Sequence, residues 1–286
     1  MIPAQFDYVV AKSLDEAVKL LGQHPDDAKV LAGGHSLIPA MKLRLAQPGT
    51  LIDIARIKDL AYIRESGGVI SIGATTTHHQ IESSDLLKKI CPLLAETASH
   101  IGDVQVRNKG TIGGSVAHAD PAADWPAAMI ALGAEMAAVG GKGERVIKAD
   151  GFFVDMLTSA LEPGEILREI RIQAPTGKFG QAYEKVPHPA SGFAVVGVAV
   201  SLTLDGGGKI ASAGIGITGV ASKAYRASAV EKALVGTGVD QAKAAAAHAT
   251  DGIDANGDLF ASAKYRRHLA EVYTARAIES AVAAAR

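Results

Sequence analysis

Two short stretches of the sequence combine adjacent glycines with a small hydroxyl residue. Residues 31–36 read LAGGHS, and residues 110–115 read GTIGGS. Adjacent glycines permit backbone conformations that a Cβ would hinder, or the close approach of another group. Loops of this kind present backbone N–H groups and hydroxyls, which bind anions without needing a basic side chain. Because one chain contains two such stretches and each ends in a small hydroxyl residue, the pattern favours a diphosphate site over two unrelated turns.

A third glycine-rich stretch matches a dinucleotide-binding pattern in a different context. Gly214, Gly216 and Gly219 satisfy the spacing G-x-G-x-x-G. A nicotinamide dinucleotide site needs that turn between a parallel strand and a helix. These glycines instead fall inside the second strand of an expected hairpin, where glycine permits tight packing or a bulge. We therefore predict a packing role for them.

Residues that could ligate a metal or act as nucleophiles form no complete set. His118 and Asp120 could supply two ligands, and His78–His79 is a pair, but adjacent histidines rarely bind one ion and neither group has a third ligand. Cys91 precedes a proline in an apolar segment and is interpreted as a small packed hydrophobe. No Ser-His-Asp arrangement is legible from spacing. The sequence thus predicts no catalytic residue and no metal ligand.

The composition describes an ordinary globular protein. The chain has 286 residues, 48% hydrophobic and 21% charged, with 29 basic against 30 acidic residues. Without a basic excess, we predict no nucleic-acid partner. The chain shows neither a signal-peptide pattern nor an apolar run of membrane-spanning length, so we expect a cytoplasmic protein without a transmembrane segment. One cysteine cannot build a four-cysteine iron–sulfur site, so any such cluster must lie on a partner.

The hydrophobic pattern predicts mixed α and β elements around the two glycine stretches. Ser13 begins a short amphipathic helix, the strand AKVL leads into the first stretch, and a short helix follows it. Strands are expected at GTLIDIA, GVISIG and EILREIRIQ, with a hairpin at AEMAAVGGKGERVIKA. One helical region is expected at DLLKKICPLLAETASHI. The dipeptides Asp120-Pro121 and Trp125-Pro126 predict a turn before an alanine-rich helix.

A change of pattern near residue 175 indicates a domain boundary. The segment APTGKFG at residues 174–180 combines proline and glycines between two strongly patterned regions. We therefore assign residues 1–175 and 176–286 to separate domains. In the second domain, the turn at residues 205–208 predicts a hairpin of two long strands, and a closing amphipathic segment predicts a helix packed on that sheet.

Two longer motifs resemble those of a known family. AGGHSLIPAMKLRLA at residues 32–46 and RNKGTIGGSVAHADPAADWP at residues 107–126 closely resemble the FAD-binding medium subunits of molybdenum hydroxylases. The nearest pattern is that of aerobic carbon monoxide dehydrogenases, and the flavin domain of xanthine dehydrogenases is more distant. The resemblance implies an α+β fold with a two-part FAD-binding domain of the vanillyl-alcohol-oxidase (PCMH) type. Its subdomains would span about 1–55 and 56–175, followed by a smaller C-terminal α/β domain with a three-stranded antiparallel sheet.

The resemblance also assigns cofactor-binding residues by position. Asp124 would bind the adenosine ribose, Lys185 would lie near the flavin ring, and Phe193 would stack on that ring in place of a family tyrosine. Ile101 and Leu167 would form apolar walls. The two pyrophosphate loops would consist of Ala32, Gly33, Gly34, His35, Ser36 and Leu37, and of Thr111, Ile112, Gly113, Gly114 and Ser115.

The resemblance further implies an electron-transfer role in a complex. Substrate would be hydroxylated at a molybdenum-pterin centre on a large subunit. Electrons would pass through two [2Fe–2S] clusters on a small subunit to noncovalent FAD on this chain, and then to an external acceptor, in a dimer of such heterotrimers. Two alternatives stay open: a stand-alone FAD-dependent oxidase of the vanillyl-alcohol-oxidase fold, and a non-redox nucleotide-binding module. The substrate also stays open among carbon monoxide, purines, aldehydes and N-heteroaromatics.

Overall fold

The N-terminal part of the chain forms a small parallel sheet. The structure, a computed structural model, describes residues 1–285. The sheet order is β1-β3-β2, and α1 packs beside it over a core that includes Ala17 and Ile52. The Ser13 hydroxyl accepts a hydrogen bond from the Glu16 N–H at 3.1 Å, which confirms the predicted start of α1. The elements are β1 (Asp7–Val10), α1 (Leu14–Gln23), β2 (Ala28–Leu31), α2 (Leu37–Lys42) and β3 (Thr50–Asp53).

The second part is built on a five-stranded antiparallel sheet covered by helices. The strand order is β4-β5-β10-β6-β7, and β8 and β9 form a separate two-stranded ribbon. Its elements are β4 (Ile63–Ser66), β5 (Val69–Gly73), α3 (His78–Glu82), α4 (Asp85–Ile90), α5 (Pro92–Ser99), α6 (Val104–Arg107), α7 (Ile112–His118), α8 (Asp124–Ala131), β6 (Glu135–Gly140), β7 (Gly143–Lys148), α9 (Ala149–Phe152), β8 (Phe153–Asp155), β9 (Thr158–Ser159) and β10 (Ile166–Gln173). The predicted strands and the β6–β7 hairpin are confirmed.

Two boundaries in this part differ from the prediction. The single helical region predicted after residue 84 is two helices, because Cys91 precedes Pro92 and takes a non-helical conformation that proline imposes on its neighbour. Trp125 and Pro126 lie inside the first turn of α8 and not before it. Proline is tolerated there because first-turn N–H groups have no intrahelical partner. Cys91 itself is fully buried, as predicted, and burial raises the pKa of its thiol to about 12.

The C-terminal part is a four-stranded antiparallel sheet with helices on it. Three long strands match the prediction, and a two-residue edge strand, β14, adds a fourth. The long helix α12 packs against β11 and β12. The elements are β11 (Lys178–Pro187), β12 (Ala194–Leu204), β13 (Ile210–Thr218), β14 (Tyr225–Arg226), α10 (Ser228–Leu234), α11 (Ala242–Ala246) and α12 (Ala263–Ala283). Short 3-10 turns occur at Lys58–Leu60 and Val239–Gln241.

Helix α8 joins the second and third parts through the glycines of β13. A Cβ on Gly214 would overlap the carbonyl oxygen of Ala131, and one on Gly216 would overlap that of Ala127. Gly214 and Gly216 therefore lie inside a strand on which a helix packs at backbone distance, which confirms their predicted packing role. The same core cluster contains Trp125 of α8 and Tyr183 of β11.

None of the helices within residues 1–285 combines the length and apolarity that crossing a bilayer requires.

Candidate functional site

The first glycine stretch connects β2 to α2 and leaves a row of unpaired donors. Gly34 has φ +74°, a left-handed conformation that favours glycine. Within residues 1–285, the backbone N–H groups of Gly33, Gly34, His35 and Ser36 make no hydrogen bond. The His35 ring turns back to the Gly33 carbonyl at 3.1 Å. Successive free N–H groups around a left-handed residue form a concave anion-binding surface.

The second glycine stretch is built differently. Thr111 caps α7, and its hydroxyl accepts the Gly114 N–H at 3.2 Å. The Gly113 N–H donates to the Ala74 carbonyl at 2.9 Å, and the Ser115 N–H donates to the Thr111 carbonyl at 3.0 Å. These N–H groups are therefore occupied by the protein, contrary to the expectation that both stretches present free N–H groups. Ser115 keeps a hydroxyl without a hydrogen-bond partner in the described chain.

The two stretches touch each other, and this contact requires glycine. A Cβ on Gly33 would overlap the Lys109 carbonyl oxygen and lie 2.8 Å from the Gly110 Cα. A Cβ on Gly113 would overlap Ala74 at the end of β5. A larger residue at position 33 would push the first loop away from Lys109 and Gly110, and one at position 113 would push α7 away from β5. The adjacent glycines thus serve backbone-to-backbone packing as well as ligand approach.

A cavity of 790 Å³ opens between these two stretches. Its volume lies within the range of about 300–1,000 Å³ that is typical of small-molecule sites. Most residues predicted from the sequence line it: Ala32, Gly33, Gly34, His35, Ser36, Leu37, Ile101, Thr111, Gly113, Gly114, Ser115, Asp124, Leu167 and Phe193. Ile112 and Lys185 are the predicted residues that do not. Ile112 points into the core beneath α7 and is fully buried.

Lys185 is bound to Asp124 behind the cavity wall. Its ammonium lies 2.8 Å from Asp124 Oδ1 and 2.9 Å from the His100 carbonyl oxygen. The Tyr183 hydroxyl donates to the same Asp124 carboxylate at 2.6 Å. Lys185 therefore does not line the cavity itself, because its ammonium is bound to the buried Asp124 carboxylate, and its expected place near the flavin ring stays a prediction. Burial raises the pKa of Asp124, and the Lys185 charge and the two donors oppose that rise.

Several lining residues were missed by the sequence reasoning. His78 lies buried at the start of α3 and lines the cavity. The sequence offered it only as half of an adjacent histidine pair, whereas its neighbour His79 is half exposed. The loop at residues 161–166 and the turn at residues 191–193 also line the cavity. The sequence gives little indication that these residues line a cavity, because their residue types are common in surface loops.

His118 and Asp120 also face the cavity. In the sequence, these two residues are possible ligands of a metal ion, without a third. Within residues 1–285, no group of three or more histidine, cysteine, aspartate or glutamate residues is placed to hold a metal ion. Their position makes them polar lining residues.

A second cavity of 510 Å³ adjoins the first across one short turn. Ser191 and Phe193 line both cavities, and the Phe193 ring is 41% exposed. The second cavity is otherwise lined by Met156, His188 and Arg266, among others. An aromatic side chain thus separates two concave surfaces that are both open to solvent.

Comparisons with known proteins cover the whole chain. A family model described as "FAD binding domain in molybdopterin dehydrogenase" matches residues 4–175, and one described as "CO dehydrogenase flavoprotein C-terminal domain" matches residues 181–281. The carbon monoxide dehydrogenase medium chain of Afipia carboxidovorans is 43% identical over 295 aligned positions, with 100% of both chains covered. The 6-hydroxypseudooxynicotine dehydrogenase complex subunit alpha of Paenarthrobacter nicotinovorans is 39% identical, covering 100% of this chain and 97% of that one. A chain of the solved carbon monoxide dehydrogenase of Hydrogenophaga pseudoflava superposes with a TM-score of 0.96 at 44% identity, with 100% of both chains covered.

Proposed function

The chain belongs to the family of FAD-binding subunits of molybdopterin dehydrogenases, and we propose that its cavity holds FAD between the two glycine stretches. The chain is an oxidoreductase subunit, the FAD-containing medium subunit of a molybdenum hydroxylase. The molybdenum-pterin centre and the [2Fe–2S] clusters of such an enzyme lie on partner subunits. Electrons pass from those clusters through FAD to an acceptor. FAD supplies the redox chemistry, while this chain supplies binding, orientation and electrostatics.

The observation that carries the binding proposal is the row of free N–H groups at Gly33–Ser36. Four adjacent donors without a protein acceptor line a cavity of suitable volume. Leaving them unpaired costs free energy unless a ligand or water accepts from them. A diphosphate offers several acceptor oxygens with negative charge, so the residues present fit FAD at this point.

Other lining residues take roles that follow from their chemistry. Asp124 retains acceptor capacity beside its bonds to Tyr183 and Lys185, so it suits a ribose hydroxyl. Ser115 offers a free hydroxyl to the diphosphate. Ile101 and Leu167 give apolar walls, and Phe193 gives an aromatic face for the flavin ring. Thr111 acts by capping α7, Gly33 keeps the two stretches close, and Gly113 lets α7 pack on Ala74 at the end of β5.

We propose that the chain divides near residue 175 into two domains that make different contributions to the cavity. Residues 1–175 hold most of the cavity, and residues 176–286 add Phe193 to its lining and Lys185 as the partner of Asp124 behind its wall. Because core packing crosses this boundary at Tyr183, the two domains work as one binding unit.

The partners proposed for this chain are a large molybdopterin subunit and a small subunit with two [2Fe–2S] clusters, arranged as a dimer of heterotrimers. The names of the relatives describe them as a medium chain and as a subunit of a complex. Exposed apolar side chains near the cavities support docking: Met156, Leu157, Phe193, Leu259 and Phe260. Such side chains are usual at subunit interfaces.

The substrate is proposed to be set by the large subunit and not by this chain. Relatives of nearly equal identity carry the names of carbon monoxide and of 6-hydroxypseudooxynicotine dehydrogenases. That medium chains of such similar sequence occur in enzymes named for different substrates supports this proposal. Within the family, we propose an aerobic carbon monoxide dehydrogenase first, and the identity and TM-score support that choice. The external acceptor is proposed to approach at Phe193, where the second cavity meets the first.

The test is to express the chain alone and together with the genes beside its own. We expect the chain to carry noncovalent FAD, released intact by heat or acid and identified by chromatography. Anaerobic addition of candidate substrates should bleach the flavin only when the molybdenum and iron–sulfur subunits are present. FMN alone, or flavin that stays on the polypeptide, would contradict the FAD proposal. Rapid bleaching of the isolated chain would instead favour the stand-alone oxidase.

A further inference from the structure

His78 is a buried side chain at the point where the two glycine stretches meet. It is 4% exposed and lines the cavity. Its backbone N–H donates to the Gly110 carbonyl at 3.0 Å, which ties the start of α3 to the second stretch. The Trp125 indole N–H donates to His78 Nδ1 at 3.1 Å. Trp125 of α8 therefore holds the imidazole ring in place through this hydrogen bond.

The Trp125 contact fixes which ring nitrogen of His78 carries the proton. An indole N–H can only donate, so Nδ1 must accept and the proton of the neutral ring sits on Nε2. Burial, together with the nearby charges of His35 and Arg107, lowers the pKa of His78 to about 4. The ring is therefore neutral at physiological pH, with one N–H donor at Nε2.

That donor has no acceptor in the described part of the chain. The only hydrogen bond of the His78 ring within residues 1–285 is the one at Nδ1. Nε2 faces Gly110, where a Cβ would lie only 2.7 Å from it. Gly110 in turn contacts Gly33, the first of the four residues with free N–H groups. An oriented N–H that lines the cavity beside an anion-binding row is what a diphosphate would need.

We propose that His78 is a neutral hydrogen-bond donor to the diphosphate of FAD, and that Trp125 is the residue that orients it. This inference rests on the proposed binding of FAD in the first cavity. A neutral ring adds a donor where a buried cation would have to be desolvated. Gly110 is required because a side chain there would cover Nε2.

Two variants of similar polarity distinguish the hydrogen-bond donor of His78 from the space that its ring fills. His78→Gln can place an amide N–H near the position of Nε2, whereas the shorter His78→Asn reaches only the position of Nδ1. We expect His78→Asn to weaken FAD binding to the full chain by about tenfold to a hundredfold, the range for a hydrogen bond to a charged group. His78→Gln should recover most of that loss. Trp125→Phe, which frees the ring, should give an intermediate loss.

The choice of probes tells the diphosphate from the flavin ring. Calorimetric titration with ADP should show the same loss in His78→Asn as FAD does, and titration with riboflavin, which has no phosphate, should show none. In ¹⁵N-labelled chain, the His78 Nε2–H resonance should be that of the neutral tautomer at pH 7 and should shift on addition of ADP.

The outcomes distinguish the inference from the function on which it rests. If the wild-type chain binds FAD and ADP competitively but His78→Asn binds both as tightly, the inference about His78 is overturned. An equal loss for riboflavin also overturns it, because the ring then acts through folding or flavin contact. If the wild-type chain does not bind FAD or ADP at all, the proposed cavity function fails whatever His78 does.

Discussion

Replacing Lys185 by methionine tests the buried ion pair that closes the cavity wall. The Lys185 and Asp124 side chains are 2% and 5% exposed, and their charged atoms lie 2.8 Å apart. Methionine keeps the length of the side chain and removes the charge. Asp124 would then retain only the Tyr183 hydroxyl as a close donor. An isolated buried carboxylate is far more expensive than an exposed one.

The expected cost follows from that geometry. Removing one partner of a buried ion pair costs about 3–5 kcal/mol of folding free energy. For a chain of this length, that corresponds to a fall of roughly 10 °C in Tm. Loss of the cation removes the main influence that opposes burial, so the pKa of Asp124 rises further above its usual range. A carboxyl whose folded pKa is raised contributes stability below its unfolded pKa and loses it as pH rises through the folded pKa. The deficit of Lys185→Met should therefore be larger at pH 8 than at pH 5.

The assay is urea unfolding of the flavin-free full chain between pH 5 and 8, because bound FAD would add its own stabilisation. Asp124→Asn in the Lys185→Met background removes the unpaired charge, and should restore at least half of the lost stability and abolish its pH dependence. Arg168→Met is the matched control, because the side chains of its pair with Glu144 are 40% and 31% exposed, far more than those of Lys185 and Asp124. It should cost less than about 1 kcal/mol.

Two results would refute this reasoning. One is a cost for Lys185→Met no larger than that of Arg168→Met. The other is a double variant no more stable than Lys185→Met alone. Either result would mean that the Asp124 carboxylate is hydrated in solution, so that it does not need the Lys185 charge.

Three further predictions concern FAD binding, packing and pH. Gly34→Asp should abolish FAD binding by placing a negative charge at the donor row, and should also lower Tm, because φ is +74° and a Cβ would lie 2.8 Å from the Ile38 side chain; flavin retained by the folded variant, measured by absorbance, would contradict this. Gly216→Ala should lower Tm, because its Cβ would overlap the Ala127 carbonyl and overpacking costs about 1–3 kcal/mol, whereas Gly22→Ala, in open space on α1, should raise it slightly. Burial raises the pKa of Glu96 to about 7, so its contribution to stability is lost as pH rises through 7; Glu96→Gln should remove that fall in urea unfolding between pH 6 and 8, and an unchanged slope would argue against it.

Local sequence patterns were sufficient for most elements and for the location of the cavity. Ser13 as a cap, the strand before Gly33 and the β6–β7 hairpin depend on neighbours within a few residues, so they could be predicted. The two glycine stretches pointed to the cavity because backbone N–H groups and hydroxyls are the same in any fold.

The remaining features depend on contacts between distant segments. The pairing of Lys185 with Asp124 spans 61 residues, and the His78–Trp125 contact spans 47. Whether an N–H of the second stretch is free depends on Ala74, which reaches it from β5. The carbonyl that packs on Gly216 likewise belongs to a distant segment, at Ala127 of α8.

The seating of α8 on β13 limits how this protein can recombine with its relatives. The helix lies before residue 175 and the strand lies after it, yet Gly214 and Gly216 leave room only for the backbone of that helix. A chimera joined near residue 175 should therefore fold only if its donor also has glycine at both positions. In recombinants between members of this family, the helix α8 beside the FAD site and the C-terminal sheet should therefore come from the same parent. Recombinants with a crossover inside β13 should be rare among folded proteins.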